Sequence, residues 1–291
     1  MMTKISWIGL GAMGAPMATV LGKGGVEVQT FDLAPDAADR VGEGLSLFPT
    51  AREAVAGTDV VVVMVATGAQ LDSVLFTPET GIAEVLPEGA VVLVMATVGP
   101  QAVEGAGTRL ALQGVGVVDA PVSGGVARAG TGDLLVMVGG ADSDIAKVQP
   151  LLDLMAAQAP VVGSLVGDGQ RFKVVNQLLC GVHIAVAGEA LALADSMGLD
   201  PQQCLEVLQG GAAASFMFGD RGPRMLEGES AEVRSAMDIF VKDMGLVTDA
   251  ARAAQQPVPL ASAAEQIYVR GRREGMGRRD DSSVYDLLRS R

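Results

Sequence analysis

The 291-residue chain has one histidine, two cysteines and one tryptophan, and only 3% of it is aromatic. So little histidine and cysteine cannot build a typical zinc site. Cys180 and Cys204 both fall within helical patterns, which reads as buried thiols in a reducing compartment rather than a disulfide. Basic residues are also scarce: 21 Lys and Arg against 34 Asp and Glu leave a net charge of −13. Nucleic acid and anionic membranes demand a basic face, so neither is expected as a partner. No uninterrupted apolar run reaches the length of a membrane span. The N-terminus enters an apolar strand without the basic stretch and cleavage site of a signal peptide, and a cytoplasmic protein is expected. If the ligand is an anion, basic groups must be placed locally against the general field.

The chain is 49% hydrophobic and 19% charged. That balance excludes disorder, and the length allows two domains with substantial cores. Residues 4–9, KISWIG, read as a short apolar strand ending at Gly9-Leu10-Gly11-Ala12-Met13-Gly14. A short helix runs to Gly24-Gly25, and a second strand, VEVQTFD, ends at Asp32, 18 residues after Gly14. Strand, GxGxxG, helix, strand and acid in this order form a dinucleotide-binding pattern. The first glycine permits the tight turn, the second the approach of a pyrophosphate, and the third helix–strand packing. The helix N-terminus then faces the phosphates. Asp32 is placed to accept hydrogen bonds from the adenosine ribose hydroxyls. Leu33 stands where an arginine would suit a 2′-phosphate, so NAD is expected in preference to NADP.

Val60–Val65 and Val91–Met95 are apolar throughout, as parallel strands buried on both faces are. Gly116–Asp119 is a further strand, and segments 134–140 and 160–163 flank a helix near 142–157. Together these predict an α/β Rossmann domain, doubly wound and mainly parallel, over residues 1–163. Ligands of such sheets bind outside the carboxyl ends of the strands. Loops 66–70, 96–100 and 120–125 are therefore expected to line the cofactor crevice, with Ala66, Thr67 and Thr97 as contacts. Ser123, Gly124 and Gly125 offer a hydroxyl and backbone N–H groups to a substrate carboxylate; a plain turn is the alternative.

Residues 164–291 carry little strand signal and read as an all-α domain. Gly167–Met197 reads as one helix of roughly 28 residues, about 40 Å long. So long an apolar helix is expected to be buried, as a spine between the two domains. Lys173 and Asn176, three residues apart, share a face near its start and are expected to meet a substrate held between the domains. Shorter helices are expected over 201–208, 235–254 and 260–271, with 210–224 a loop or broken helix. The charged tail from Gly271 reads as solvated surface; Asp280, Asp281 and Ser282 alternatively close over the cleft.

Four ordered motifs carry a resemblance: IGLGAMGAPMA (8–18), DAPVSGG (119–125), GDGQRFKVVNQ (167–177) and FVKD (240–243). Together they resemble the β-hydroxyacid dehydrogenases, the family containing 3-hydroxyisobutyrate dehydrogenase and tartronate semialdehyde reductase, over nearly the whole chain. NQLLCGVHIAVAGEALALA, ASFMFGDRGPRML, SAMDIFVKDMGLV, PVPLASAA and RRDDSSV are similar to the family's L-threonate dehydrogenase branch. The resemblance implies a Rossmann domain followed by a helical one, a homodimer or homotetramer, and NAD-dependent oxidation of a small anionic hydroxy acid. For that branch the reaction takes L-threonate to the 2-oxo acid. It also implies that Lys173 is the catalytic lysine and that Lys242 lies near the cofactor. The sequence departs from the family at Ala96, where serine is usual, and at Val20, where asparagine is common. Some members of the branch carry histidine where this chain has Asn176.

Hydride transfer from an alcohol needs a base for the hydroxyl proton. Lys173 is the candidate; free lysine titrates near about 10.4. Burial and a neighbouring NAD⁺ charge are expected to lower that value toward the working pH. Asn176 would bind a substrate hydroxyl or carboxylate and help orient Lys173. Lys242, beside Asp243, reads either as a cofactor contact or as an ordinary ion pair. Phe216 and Phe218 read either as pocket wall or as core. His183, about 10 Å beyond Asn176 along the helix, reads as a satisfied core histidine. Two other functions remain: an enzyme acting on a 3-hydroxy acid or a short semialdehyde, and a catalytically silent NAD-binding module. Phosphogluconate decarboxylation is disfavoured, because Asn176-Gln177 stand where that related family has His-Asn.

Overall fold

Four consecutive valines, Val60–Val63, form β4, and every one of them is buried. Their alternating side chains serve two cores: Val60 and Val62 on one face, Val61 and Val63 on the other. A strand can do this only at the centre of a sheet covered by helices on both sides. The structure, a computed structural model, describes residues 4–289. Around β4 run β1 (Lys4–Ile8), β2 (Glu27–Phe31), β3 (Leu45–Leu47), β5 (Val91–Val94) and β6 (Gly116–Asp119). They pair in parallel in the order β6-β5-β4-β1-β2-β3. On one face lie α1 (Gly14–Lys23), α5 (Gly125–Ala129) and α6 (Asp142–Met155); on the other, α2 (Ala51–Ala54), α3 (Gly68–Phe76) and α4 (Pro100–Ala111). This is the expected doubly wound Rossmann arrangement.

Segment 134–140, expected as one strand, is divided at Met137. β8 (Leu134–Val136) joins β7 (Val122–Ser123) and β10 (Ala156–Gln158) in a separate three-stranded sheet. β9 (Val138–Gly139) continues into the large sheet, antiparallel to β6, with β11 (Val161–Gly163) parallel beyond it. Between them the Met137 N–H donates to the Pro121 carbonyl at 3.0 Å, so the backbone changes sheets without losing that bond.

The chain divides into two units at Lys173/Val174, within α7 (Asp168–Ser196). The second unit is helical: the continuation of α7, then α8 (Pro201–Gln209), α9 (Phe216–Glu227), α10 (Met237–Ala253), α11 (Pro259–Arg273) and α12 (Val284–Leu288). Its core includes Ile184, Leu191, Phe240, Met244 and Tyr268. Tyr268 stacks on Phe240 at 5.3 Å and donates its hydroxyl to the Gly181 carbonyl at 2.7 Å, which satisfies the one polar atom of a buried ring. Segment 210–224 is a turn followed by a helix: Ser215 caps α9 by accepting from Phe218 N at 3.0 Å.

Two expectations need correction. The long helix is not buried all round, because Phe172, Val175, Leu179, Val186 and Leu193 form an exposed stripe along it at helical spacing. Its length and hydropathy are also enough for a membrane span, although charged residues interrupt it. Half of its most apolar window is buried. The tail is solvated only in part: residues 272–275 are exposed, but Asp280, Asp281, Ser282 and Ser283 are buried. Arg221 holds Asp281 with two hydrogen bonds, at 3.2 and 3.0 Å, and Arg224 holds it at 3.0 Å. The Arg224 guanidinium also lies 3.3 Å from Asp280. Pairing of this kind lets buried carboxylates keep company with charge rather than water.

Candidate active site

In the first unit, β1 is followed by Gly9, whose φ of +105° and position against the Met64 carbonyl admit no side chain. Gly14 opens α1 and lies against the Gly9 carbonyl, so a Cβ there would drive the helix off the strand. The Gly9 carbonyl also accepts from the Trp7 indole at 2.8 Å. At Gly11 a side chain would meet only open space, which leaves the turn free for a ligand to approach its backbone. Met13, at the N-cap of α1, provides no side-chain cap, so Gly11 to Met13 present main chain ahead of a helix N-terminus. The Asp32 carboxylate accepts from Leu10 N at 2.6 Å and from Ala34 N at 2.7 Å. Each oxygen retains a second lone pair for a ribose hydroxyl. Leu33 is exposed, and Arg40 reaches the Leu10 carbonyl at 3.2 Å while pairing with Asp36 at 2.6 Å.

Thr67 caps α3 in a capping box with Gln70. The Ala66 and Thr67 N–H groups both donate to Gln70 Oε1, at 2.8 and 3.2 Å. Thr97 lies in the loop between β5 and α4. At Gly125 (φ +74°) a side chain would again meet open space; Gly124 is packed against Leu134 and Arg128, and Ser123 is half-buried. Lys173 stands in the second turn of α7 and is only 6% exposed. The start of that helix abuts the strand ends: a Cβ on Gly169 would lie 2.5 Å from the Met137 carbonyl and 2.6 Å from that of Asp119.

Sequence reasoning missed Gln170 and Asp119. Both are buried. Gln170 Oε1 accepts from Val98 N at 3.0 Å and Gly99 N at 2.9 Å, while Nε2 donates to the Ala96 carbonyl and to Asp119 Oδ1, both at 2.9 Å. The Gln170 N–H donates to Asp119 Oδ2 at 2.8 Å. Burial pushes the Asp119 carboxyl up to about 6, against the Gln170 hydrogen bonds that hold it down. The available signal was an acid ending an apolar strand, and an amide one turn before the lysine.

In the second unit a polar chain crosses from α7 to α10. Asn176 donates to Gln177 Oε1 at 2.9 Å and to Cys180 Sγ at 3.2 Å. Gln177 Nε2 donates to Asp243 Oδ2, and Lys242 Nζ lies 2.8 Å from Asp243 Oδ1. Asn176 and the Lys242–Asp243 pair are thus linked through Gln177, a residue the sequence reading does not single out. Phe218 belongs to the helical core, whereas Phe216 is 64% exposed at the start of α9. His183 is half-buried, two turns beyond Asn176. A shallow cavity of about 250 Å³ lies in the first unit among Phe76, Glu84, Arg109 and Gln113, after the C-terminal ends of α3 and α4 and away from the strand-end loops. Among the described residues no group of three or more His, Cys, Asp and Glu is arranged to hold a metal ion.

The open turn at Gly11, the free helix N-terminus and the Asp32 carboxylate suit the pyrophosphate and ribose of a dinucleotide. These features define a dinucleotide-binding protein of the Rossmann class. Residues 4–165 match the family model of the NAD binding domain of 6-phosphogluconate dehydrogenase. Residues 167–288 match that described as NAD-binding of NADP-dependent 3-hydroxyisobutyrate dehydrogenase. The chain is 40% identical over 290 residues to the L-threonate dehydrogenase of Cupriavidus necator, covering 99% of this chain and 97% of that one. Its fold is similar to 3-hydroxyisobutyrate dehydrogenase from Salmonella typhimurium, with a TM-score of 0.90 at 34% identity over 98% of this chain and 99% of that one. It is also similar to the Mycobacterium tuberculosis 3-hydroxyisobutyrate dehydrogenase solved with L-serine, with a TM-score of 0.87 at 30% identity over 100% of each. The chain belongs to the β-hydroxyacid dehydrogenase family, a family of dehydrogenases and reductases.

Proposed function

We propose that the protein is an NAD-dependent dehydrogenase that oxidises L-threonate at C2 to 2-oxo-tetronate. One observation carries this reading: a buried Lys173, one turn after the glycine-closed start of α7, in a chain 40% identical to an L-threonate dehydrogenase. Bound NAD⁺ supplies the acceptor for the hydride that leaves C2. Lys173, as the neutral amine, takes the proton of the C2 hydroxyl as the C2–H bond breaks, and returns it in the reverse reaction. Asn176, one turn further along the helix, binds a substrate hydroxyl or carboxylate. The Ser123 hydroxyl and the Gly124 and Gly125 N–H groups bind the substrate carboxylate, and Phe216 is assigned to the pocket wall, while Phe218 is left to the helical core. Gly9, Leu10, Gly11, Ala12, Met13 and Gly14 hold the pyrophosphate and Asp32 the adenosine ribose. Ala66, Thr67, Thr97 and Lys242 are assigned to the rest of the cofactor. Preference for NAD over NADP is supported by Asp32 and by Leu33 beside it.

We assign residues 1–163 to the cofactor domain and 164–291 to the domain for substrate and oligomerisation, although the chain divides into its two units ten residues later, within α7. We assign a homodimer or homotetramer, supported by the exposed apolar stripe on α7, and a cytoplasmic location, supported by two cysteines that are not joined in a disulfide. The fold likeness to 3-hydroxyisobutyrate dehydrogenase favours a second reading, in which the substrate is that 3-hydroxy acid or a short semialdehyde. The test is NADH formation with L-threonate, D-threonate, the erythronates, D-glycerate and 3-hydroxyisobutyrate. Preference for L-threonate supports the proposal; preference for 3-hydroxyisobutyrate or D-glycerate replaces the substrate and keeps the mechanism. Silence with every acid under NAD and NADP alike refutes both.

A further inference from the structure

Every hydrogen-bonding position of the Gln170 side chain is used within the first unit: two N–H donors and two lone pairs meet four partners. Three of those partners are main-chain groups on either side of Thr97, and the fourth is Asp119 at the end of β6. The backbone of the same residue is held by the other Asp119 oxygen. One residue earlier, Gly169 packs so closely on the strand ends that no side chain fits. Lys173 follows Gln170 by three residues and therefore lies on the same face of α7.

We infer that Gln170 is a positioning residue, which fixes the Lys173 side chain relative to the Ala96–Gly99 loop. The inference rests on the reading of Lys173 as the base and of Thr97 as a cofactor contact. An amide suits the position because it donates to two acceptors and accepts from two donors at once. Glutamate is nearly the same shape but places an oxygen against the Ala96 carbonyl and the Asp119 carboxylate. Two carboxylates at that spacing must share a proton, and Asp168, which also acts on Asp119, adds negative charge. Small displacements matter here, because a misplacement of about 1 Å at a reacting group costs on the order of a hundredfold in rate.

The experiment compares wild type, Gln170→Met and Gln170→Glu in full-length protein. Three quantities are read: kcat with the preferred acid, the Kd of NADH by calorimetry, and the rate of reductive methylation of Lys173 by peptide mass spectrometry. Exposed Lys147 and Lys23 serve as internal standards. In Gln170→Met, kcat is expected to fall roughly tenfold or more while the NADH Kd changes by less than about threefold. Lys173 methylation is expected to speed up relative to the standards as the side chain loosens. In Gln170→Glu, kcat should decline further than in wild type as pH rises and the shared proton is lost. This variant alone decides the matter if Gln170→Met does not fold. The inference is overturned if kcat stays within about threefold of wild type in the folded variants, or if NADH affinity falls in parallel with kcat. If wild type turns over no acid, methylation of Lys173 decides: a faster rate in either variant upholds the positioning role while the functional reading falls, and an unchanged rate overturns the positioning role too.

Discussion

Asp32 closes onto Leu10: its Oδ2 accepts the Leu10 N–H at 2.6 Å, tying the end of β2 to the phosphate turn after β1. The carboxylate is thereby oriented before any ribose arrives. A charge-assisted hydrogen bond of this kind contributes roughly 1.5–3 kcal/mol, or about ten- to a hundredfold. Asp32→Ala should lower the kcat/KM ratio of NAD to NADP by that order. Steady-state kinetics with both cofactors measure it, and an unchanged ratio removes Asp32 from the ribose.

Lys173→Ala removes the proposed base without touching the phosphate turn. Turnover should fall by about 10²–10⁴, the usual contribution of a positioned general base. NAD binding, read by calorimetry, should remain close to wild type. Retained turnover in the variant would show that the proton leaves by another route.

Asp119 makes stability depend on pH in an unusual direction. Burial raises its carboxyl from 3.8 to about 6, so between those values the folded protein holds a proton that the unfolded chain has released. Stability from this group therefore falls as pH rises through that window, by roughly 3 kcal/mol in all, and is steady above it. Urea unfolding of wild type and Asp119→Asn from acidic to neutral pH isolates the effect as the difference between the two curves. A difference that is flat with pH would contradict the buried, proton-holding carboxyl.

Asp281 joins Arg221 and Arg224 in the interior of the helical unit. Asp281→Ala would leave the part-buried Arg221 to Asp220 and the buried Arg224 chiefly to Asp280, and removing one partner from a buried ion pair costs up to about 3–5 kcal/mol. The melting temperature should drop by several degrees while the phosphate turn is unaffected. A variant as stable as wild type would mean that solvent reaches the arginines.

The sheet was legible because buried parallel strands leave continuous apolar runs, as at Val60–Val63 and Val91–Val94. The phosphate turn was legible because its glycines keep a fixed spacing between a strand and a helix, even though the carbonyl that excludes a side chain at Gly9 belongs to distant Met64. Lys173 and Asn176 were legible as polar residues interrupting an apolar helix. Gln170, Asp119 and Gln177 were not, since their partners lie 51 to 74 residues distant and nothing in spacing announces them. The tail failed for the same reason: a charged run reads as solvated until the arginines that bury it, some 57 to 60 residues earlier, are seen beside it. Segment 134–140 failed because a change of sheet costs only one irregular residue, and Met137 is as apolar as its neighbours.

Trp7 is the chain's only tryptophan, and its indole is bonded to the carbonyl of Gly9 in the phosphate turn. The protein therefore carries a single intrinsic fluorophore at the spot where a dinucleotide would dock. Its emission overlaps the absorption of reduced nicotinamide, so loading with NADH should dim the tryptophan and brighten the coenzyme. Cofactor occupancy can thus be followed optically in the unlabelled protein, with no second tryptophan to blur the signal.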